Sequence, residues 1–260
     1  MLNNMSVLKI SDIDNSIEEI RNFKFDSDGL SKLFDFAGEN DFDAYETIAY
    51  TMISNNFEIP KNLRLNKDKF INFRKNIATD DVEDYLLLVE LYASIFNDLT
   101  YFPIPKSTNP KTKYIGFENS FMDARSFGGE RSHEGTDIMA LENVAGKYPI
   151  VSMCEGVVEQ VGWLKLGGYR IGIRSPNGLY MYYAHLDSYV KEFKPGDYVK
   201  AGEMLGYMGD TGYSEIEGTK GNFPVHLHLG IYYDYKDTEI SINPYYILLY
   251  LKNNLLYYSY

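Results

Sequence analysis

Four histidines occur in this 260-residue chain, and all fall between His133 and His228. Their surroundings read His133-Glu134-Gly135-Thr136-Asp137, Tyr183-Ala184-His185-Leu186 and Val225-His226-Leu227-His228-Leu229. Imidazole nitrogens and carboxylate oxygens are common ligands of a catalytic zinc, which takes three from the protein and leaves a fourth position for water. A lone histidine is ordinarily a satisfied core or surface residue. Four in such motifs point instead to hydrolysis at a metal, with two imidazoles left for proton handling.

Backbone periodicity says how these side chains could meet. Residues i and i+2 of a strand share a face, so His226 and His228 should project side by side while Val225, Leu227 and Leu229 face a core. The β-prone run from Tyr180 to Leu186 predicts a strand ending at His185. Gly135 and the preceding Phe127-Gly128-Gly129 argue against a helix through His133 and Asp137, and for a loop feeding a strand. No histidine follows four residues after His133, so this is not a His-Glu-x-x-His helix. Glu134 is therefore read as a solvated or supporting carboxylate rather than a general base.

Three segments, Phe127 to Ile138, Tyr182 to Leu186 and His226 to Ile231, together resemble the lysostaphin/LytM-type zinc metallopeptidases, which are peptidoglycan endopeptidases. Gly196 to Gly206 and Gly209-Asp210-Thr211-Gly212 are similar to the glycine-punctuated hairpins of that family, and the likeness runs from Phe121 to Pro244. It implies Zn2+ held by His133, Asp137 and His228, with His185 and His226 as the catalytic pair beside it. It also implies a peptidoglycan peptide as substrate and a cell-envelope or extracellular location. The stretch from Gly212 to His226 is longer than in the simplest members; it should border the cleft and bear on substrate choice. A non-catalytic zinc-binding relative that binds a wall fragment or a protein partner is the competing expectation. A biotinyl- or lipoyl-type carrier is excluded, because the hairpin tip reads Met208-Gly209-Asp210 and offers no lysine.

The elements that must hold these residues differ along the chain. Tyr45, Ile48, Ala49, Met52 and Ile53 recur at helical spacing, as do Val82, Leu86, Val89, Ala93 and Phe96, with Asp80 and Glu83 as a capping box for the second helix. Pro103, Pro105 and Ser107-Thr108-Asn109-Pro110 mark a boundary. Beyond it, short strands alternate with glycines, and a helix from Tyr245 to Lys252 closes the chain. The expectation is an α+β protein: an acidic helical region of unknown role, 1–105, then a mainly antiparallel β peptidase domain, 106–260. The resemblance makes the latter of duplicated-hybrid-motif type.

Composition bounds the partners. Of the net charge of −12, residues 1–100 carry −9, from 19 acidic and 10 basic side chains. An acidic chain without a basic stripe argues against nucleic acid and anionic membrane surfaces. No run of about 18 apolar residues encodes a membrane span. Met1 to Lys9 shows no secretory signal, so an envelope location leads to the expectation of a targeting segment upstream, or of another export route. Cys154, the sole cysteine, excludes an intrachain disulfide and is expected to be a buried small hydrophobe. Of the 24 tyrosines, Tyr182, Tyr183 and Tyr213 are expected near the cleft. Oligomeric state is not legible.

Overall fold

The structure is a computed structural model that describes residues 17–77, 79–126 and 129–260, without the side chains of residues 79–81. The signal expected to be missing from Met1 to Lys9, the cap at Asp80, and Phe127-Gly128 lie outside the described residues. The chain divides into two compact units, Met1–Ala93 and Ser94–Tyr260.

The first unit is helical, as its periodicity requires. Helices α1 (Ile17–Arg21), α2 (Ser27–Asn40), α3 (Ala44–Ser54) and α4 (Lys67–Asn76) precede α5 (Thr79–Asp98), which runs past Ala93. Carboxylate or amide side chains stop three of them from fraying. Asp26 accepts from the backbone of Asp28 and Gly29, Asp43 from Tyr45 and Glu46, and Asn66 from Lys69, each satisfying donors that have no partner within the helix. The apolar stripe read from sequence falls on α3, where Ile48, Ala49, Met52 and Ile53 are buried. On α5 the expected stripe is corrected: Leu86 is exposed and Val82, Val89, Ala93 and Phe96 are half-buried, while Tyr85, Leu88, Leu91 and Ile95 are buried. Apolar residues run round most of this helix and offer more than one stripe of the same period. A parallel two-stranded pair, Lys24–Phe25 with Glu58–Ile59, interrupts the helices.

The second unit is built on a ten-stranded, wholly antiparallel sheet. Its strands are β1 (Ile115–Phe117), β2 (Thr136–Ala140), β3 (Pro149–Val151), β4 (Gly156–Leu164), β5 (Gly168–Arg174), β6 (Tyr180–Tyr189), β7 (Tyr198–Val199), β8 (Met204–Met208), β9 (His226–Tyr235) and β10 (Thr238–Ile242). The main order is β7-β4-β5-β6-β9-β2-β1; β8 joins β6 to β3, and β10 pairs with β9. Helix α6 (Pro244–Leu251) follows, capped by Asn243 with proline in its first turn. One face of the central strands is a dry core: Ile138, Tyr183, Leu227, Leu229 and Ile231 are all 0% exposed. Cys154 is also buried, and burial pushes its thiol up to about 12, so it is no nucleophile. Among the described residues no helix is long and apolar enough to cross a membrane.

The segment just before Lys106 is tied into this second unit. Thr100 N–H donates to the Met153 carbonyl, Phe102 N–H to Asn254, and Val151 N–H to Pro103, while Asp98 accepts from the backbone and side chain of Asn177. Phe102 and Ile104 are 1% and 0% exposed. A fragment beginning at Ser94 is therefore expected to melt cooperatively. One beginning at Lys106 should lose roughly 3–6 kcal/mol of stability, because two large apolar side chains leave the core at about 1.5–3 kcal/mol each. Thermal melts of both fragments check this; equal midpoints would show that residues 94–105 contribute nothing to the sheet.

Candidate metal centre

Three adjacent strands, β6, β9 and β2, place the motif residues. His228 on β9 pairs directly with Asp137 on β2 and with Ala184 on β6. Residues opposite each other in an antiparallel pair point to the same face, so the His228 and Asp137 side chains meet. Leu227 and Leu229 turn to the core and His226 and His228 to the other face, as the alternation predicts. His133 lies between the short strand Arg131–Ser132 and β2, so a loop delivers it.

The three chains converge closely. His133 Nε2 lies 3.1 Å from Asp137 Oδ1 and 3.0 Å from His228 Nδ1, and His228 Nδ1 lies 3.0 Å from Asp137 Oδ1. The carbonyl of Ser120, 2.9 Å from His133 Nδ1, accepts that nitrogen's proton, which leaves a lone pair on Nε2 of the neutral ring. Arg125 Nη2, 2.9 Å from both His133 Nδ1 and Asp137 Oδ2, donates to the carboxylate. Two acceptors, His133 Nε2 and Asp137 Oδ1, thus face each other with no proton between them. A cation resolves that opposition, and these three residues form a group able to hold one. Bonds of about 2.0–2.2 Å to zinc suit donors roughly 3.3 Å apart, so the set fits. Gly135 makes room: a Cβ there would sit 2.7 Å from His228 Cε1 and 2.5 Å from the Leu229 carbonyl oxygen.

His185 arrives by a different route. The strand expected to end there runs on to Tyr189, with a register shift between Tyr169 and Ile171 of β5. Three steps of β6 oppose two of β5, which is a bulge with one extra residue. His185 takes up that residue with φ of 63°, a left-handed conformation that strict alternation would not produce. Its ring consequently turns to the site, with centroids 4.7 Å from His226 and 6.1 Å from His228. The Thr211 carbonyl accepts from His185 Nδ1 at 2.8 Å, and the Pro224 carbonyl accepts from His226 Nδ1 at 2.8 Å. Both rings therefore present an unprotonated Nε2. Phe223 packs on each of them, at 4.7 and 5.1 Å, from within the long Gly212 to His226 stretch.

The surrounding cleft, about 430 Å³, is lined by all four histidines and Asp137, with Arg125, Arg131, Tyr182, Tyr213 and Tyr232 among its other walls. Tyr183 is corrected here: consecutive strand residues point to opposite faces, so with Tyr182 in the cleft Tyr183 goes to the core, where its hydroxyl accepts from Met153 N–H. Burial pushes the Tyr182 phenol up to about 12, keeping it a donor at neutral pH. Glu134 is engaged by the hydroxyls of Ser132 and Ser241, a supporting carboxylate as expected. Sequence reasoning missed Ser120, Arg125, Thr211, Phe223 and Tyr232. None carries a metal-ligand signature, and only the tertiary fold brings them in, several of them from loops outside the main sheet.

Electrostatics follow from burial. Desolvation lowers His185 well below its ordinary 6.5 and also lowers His226 and His228, the latter two against the pull of Asp137. Burial alone would raise the Asp137 carboxyl, but the imidazoles of His133 and His228 set against it, with the positive charge that His228 and His226 can carry, hold it far below the usual carboxylate range. For groups depressed in the folded state, the unfolded chain binds more protons once pH falls below about 6.5, so stability declines from there downward. The chelator-treated protein should thus melt at progressively lower temperature from pH 7 to pH 5. A melting temperature flat or rising over that interval would contradict neutral, buried imidazoles.

Comparison with known proteins agrees with this geometry. A crystal structure of a candidate glycyl-glycine endopeptidase, lytM, from Ruminococcus gnavus superposes with a TM-score of 0.77 at 40% identity, covering 97% of this chain and 98% of that one. Residues 131–244 match Peptidase family M23. The chain belongs to that family. An L-Ala–D-Glu endopeptidase of Bacillus subtilis is 36% identical over 220 residues, 85% of this chain and 62% of that protein. Lysostaphin of Staphylococcus staphylolyticus is 40% identical over 68 residues, 25% of this chain and 14% of its own. The chain thus spans about three-fifths of the first of these curated relatives and a small part of the second. The matched range holds all four histidines and Asp137.

Proposed function

We propose that the protein is a zinc-dependent endopeptidase that hydrolyses peptide bonds in the cross-bridges or stems of bacterial peptidoglycan. The observation that carries this reading is the convergence of His133 Nε2, Asp137 Oδ1 and His228 Nδ1 within 3.0–3.1 Å of one another at the floor of an open cleft. His133, Asp137 and His228 would hold the metal, and Arg125 and the Ser120 carbonyl orient two of those ligands. Bound there, zinc supplies a Lewis acid that polarises a carbonyl and brings the pKa of water to about 7.

The rest falls to the chain's own groups. His185 and His226 each face the cleft with a proton-accepting Nε2, because a backbone carbonyl holds the proton on Nδ1. One can take the proton of the attacking water, and the other can stabilise the developing oxyanion or protonate the departing amine. Depressed basicity keeps both neutral at pH 7 and therefore able to accept. Tyr182 and Tyr232, whose phenols burial keeps protonated, line the same wall as donors for substrate carbonyls. A cell-envelope or extracellular site of action follows from such a substrate.

The test is digestion of purified peptidoglycans that differ in stem and cross-bridge, with product masses read out. Zinc-loaded protein should release new amine and carboxyl ends, and chelation should stop the release. Intact muropeptides after prolonged incubation with zinc-loaded protein would leave a binding role instead.

A further inference from the structure

The strand pair just upstream of His133 carries a charge arrangement that metal binding does not use. Ala124–Arg125 and Arg131–Ser132 pair antiparallel, with Arg125 directly opposite Arg131. Like charges directly opposite across a ladder are unfavourable. Arg125 is neutralised by Asp137. Arg131 makes no ion pair among the described residues, its Nε is buried without a hydrogen-bond partner, and its side chain lines the cleft with His133 and Tyr182. A guanidinium left unpaired at the edge of a site is matched by an anion, and its planar fork fits a carboxylate bidentately.

We propose that Arg131 is a specificity-determining residue that binds a substrate carboxylate beside the scissile bond. The preferred substrate is then an acidic peptide rather than an uncharged oligoglycine bridge. This rests on the peptidase reading and narrows it. Asp137 cannot serve Arg131 as an internal partner, since its two oxygens already face His133, His228 and Arg125. Glu134 is held by Ser132 and Ser241. Both carboxylates that line the cleft are thus already engaged, and the proposal takes the partner of Arg131 from the substrate.

The experiment uses zinc-loaded full chain and two alanyl-glutamyl stem peptides that differ only in whether the glutamyl carboxylate is free or a carboxamide. Pentaglycine is the uncharged control. Cleavage and calorimetric binding are both measured. The wild type should favour the acid over the amide by about 10- to 100-fold in kcat/KM or affinity, the range of a charge-assisted hydrogen bond. Arg131→Gln should erase that ratio, chiefly by lowering the acid, and Arg131→Lys should restore part of it. Wild type treating acid and amide alike, or Arg131→Gln retaining the preference, would overturn the proposal. If no peptide is cut, the peptidase reading fails, and the calorimetric ratio still decides the role of Arg131.

Discussion

Asp137→Ala is expected to abolish zinc retention and, with it, essentially all hydrolysis. The carboxylate touches both candidate imidazole ligands and is fixed by Arg125, so its removal deletes one ligand and disorganises the other two. Losing a supporting hydrogen bond alone typically costs roughly 10–100-fold in metal affinity, and losing a ligand should cost more. His133→Ala and His228→Ala should do the same, because three protein ligands are the usual complement of a catalytic zinc. Elemental analysis after desalting reads the result directly. Stoichiometric zinc in any of these variants would remove that residue from the ligand set. The variants should nonetheless fold, since the ligands occupy the cleft face while the core face of β9 and β2 remains packed.

His185→Ala and His226→Ala are expected to retain zinc and lose turnover by about 10²–10⁴-fold, the usual contribution of a general acid or base. Their Nδ1 atoms are committed to the Thr211 and Pro224 carbonyls, and no described carboxylate lies within 3.5 Å of either ring; His226 Nε2 approaches Asp137 Oδ1 only to 3.8 Å. Equilibrium dialysis against zinc alongside initial rates on peptidoglycan separates the two losses. A variant that releases its metal would belong with His133 and His228 instead. Rates unchanged in both variants would leave proton transfer to groups other than these imidazoles.

The two sets differ in how far the chain announces them. Val225 to Leu229 alternates with a period of two, and period two has one structural meaning, so His226 and His228 had to share a face opposite Leu227 and Leu229. Gly135 broke the helical reading of His133 and Asp137, and the structure places His133 on a loop and Asp137 in β2. The helical stripe on α3 was equally legible, because apolar positions at 3.6-residue spacing need a core on one side. On α5 the same period offered two stripes, and packing buried the one through Leu88, Leu91 and Ile95 rather than the one through Leu86 and Val89.

Tyr183 and His185 mark where that logic stops. Both sit in one aromatic run, and local pattern alone cannot say which face is wet or where an extra residue enters. The bulge opposite Arg170 reverses the alternation at His185, bringing it to the metal centre, while Tyr183 stays in the core. Arg125, Thr211 and Phe223 carry no signal in their own neighbourhoods, since each acts through a partner distant in the chain. Residue type and spacing, then, determined the chemistry available to this protein and the ligands to which the family likeness points. Register across β6, β9 and β2 decided which side chains meet, because strand pairing is a long-range choice made by the packed core rather than by neighbours in sequence.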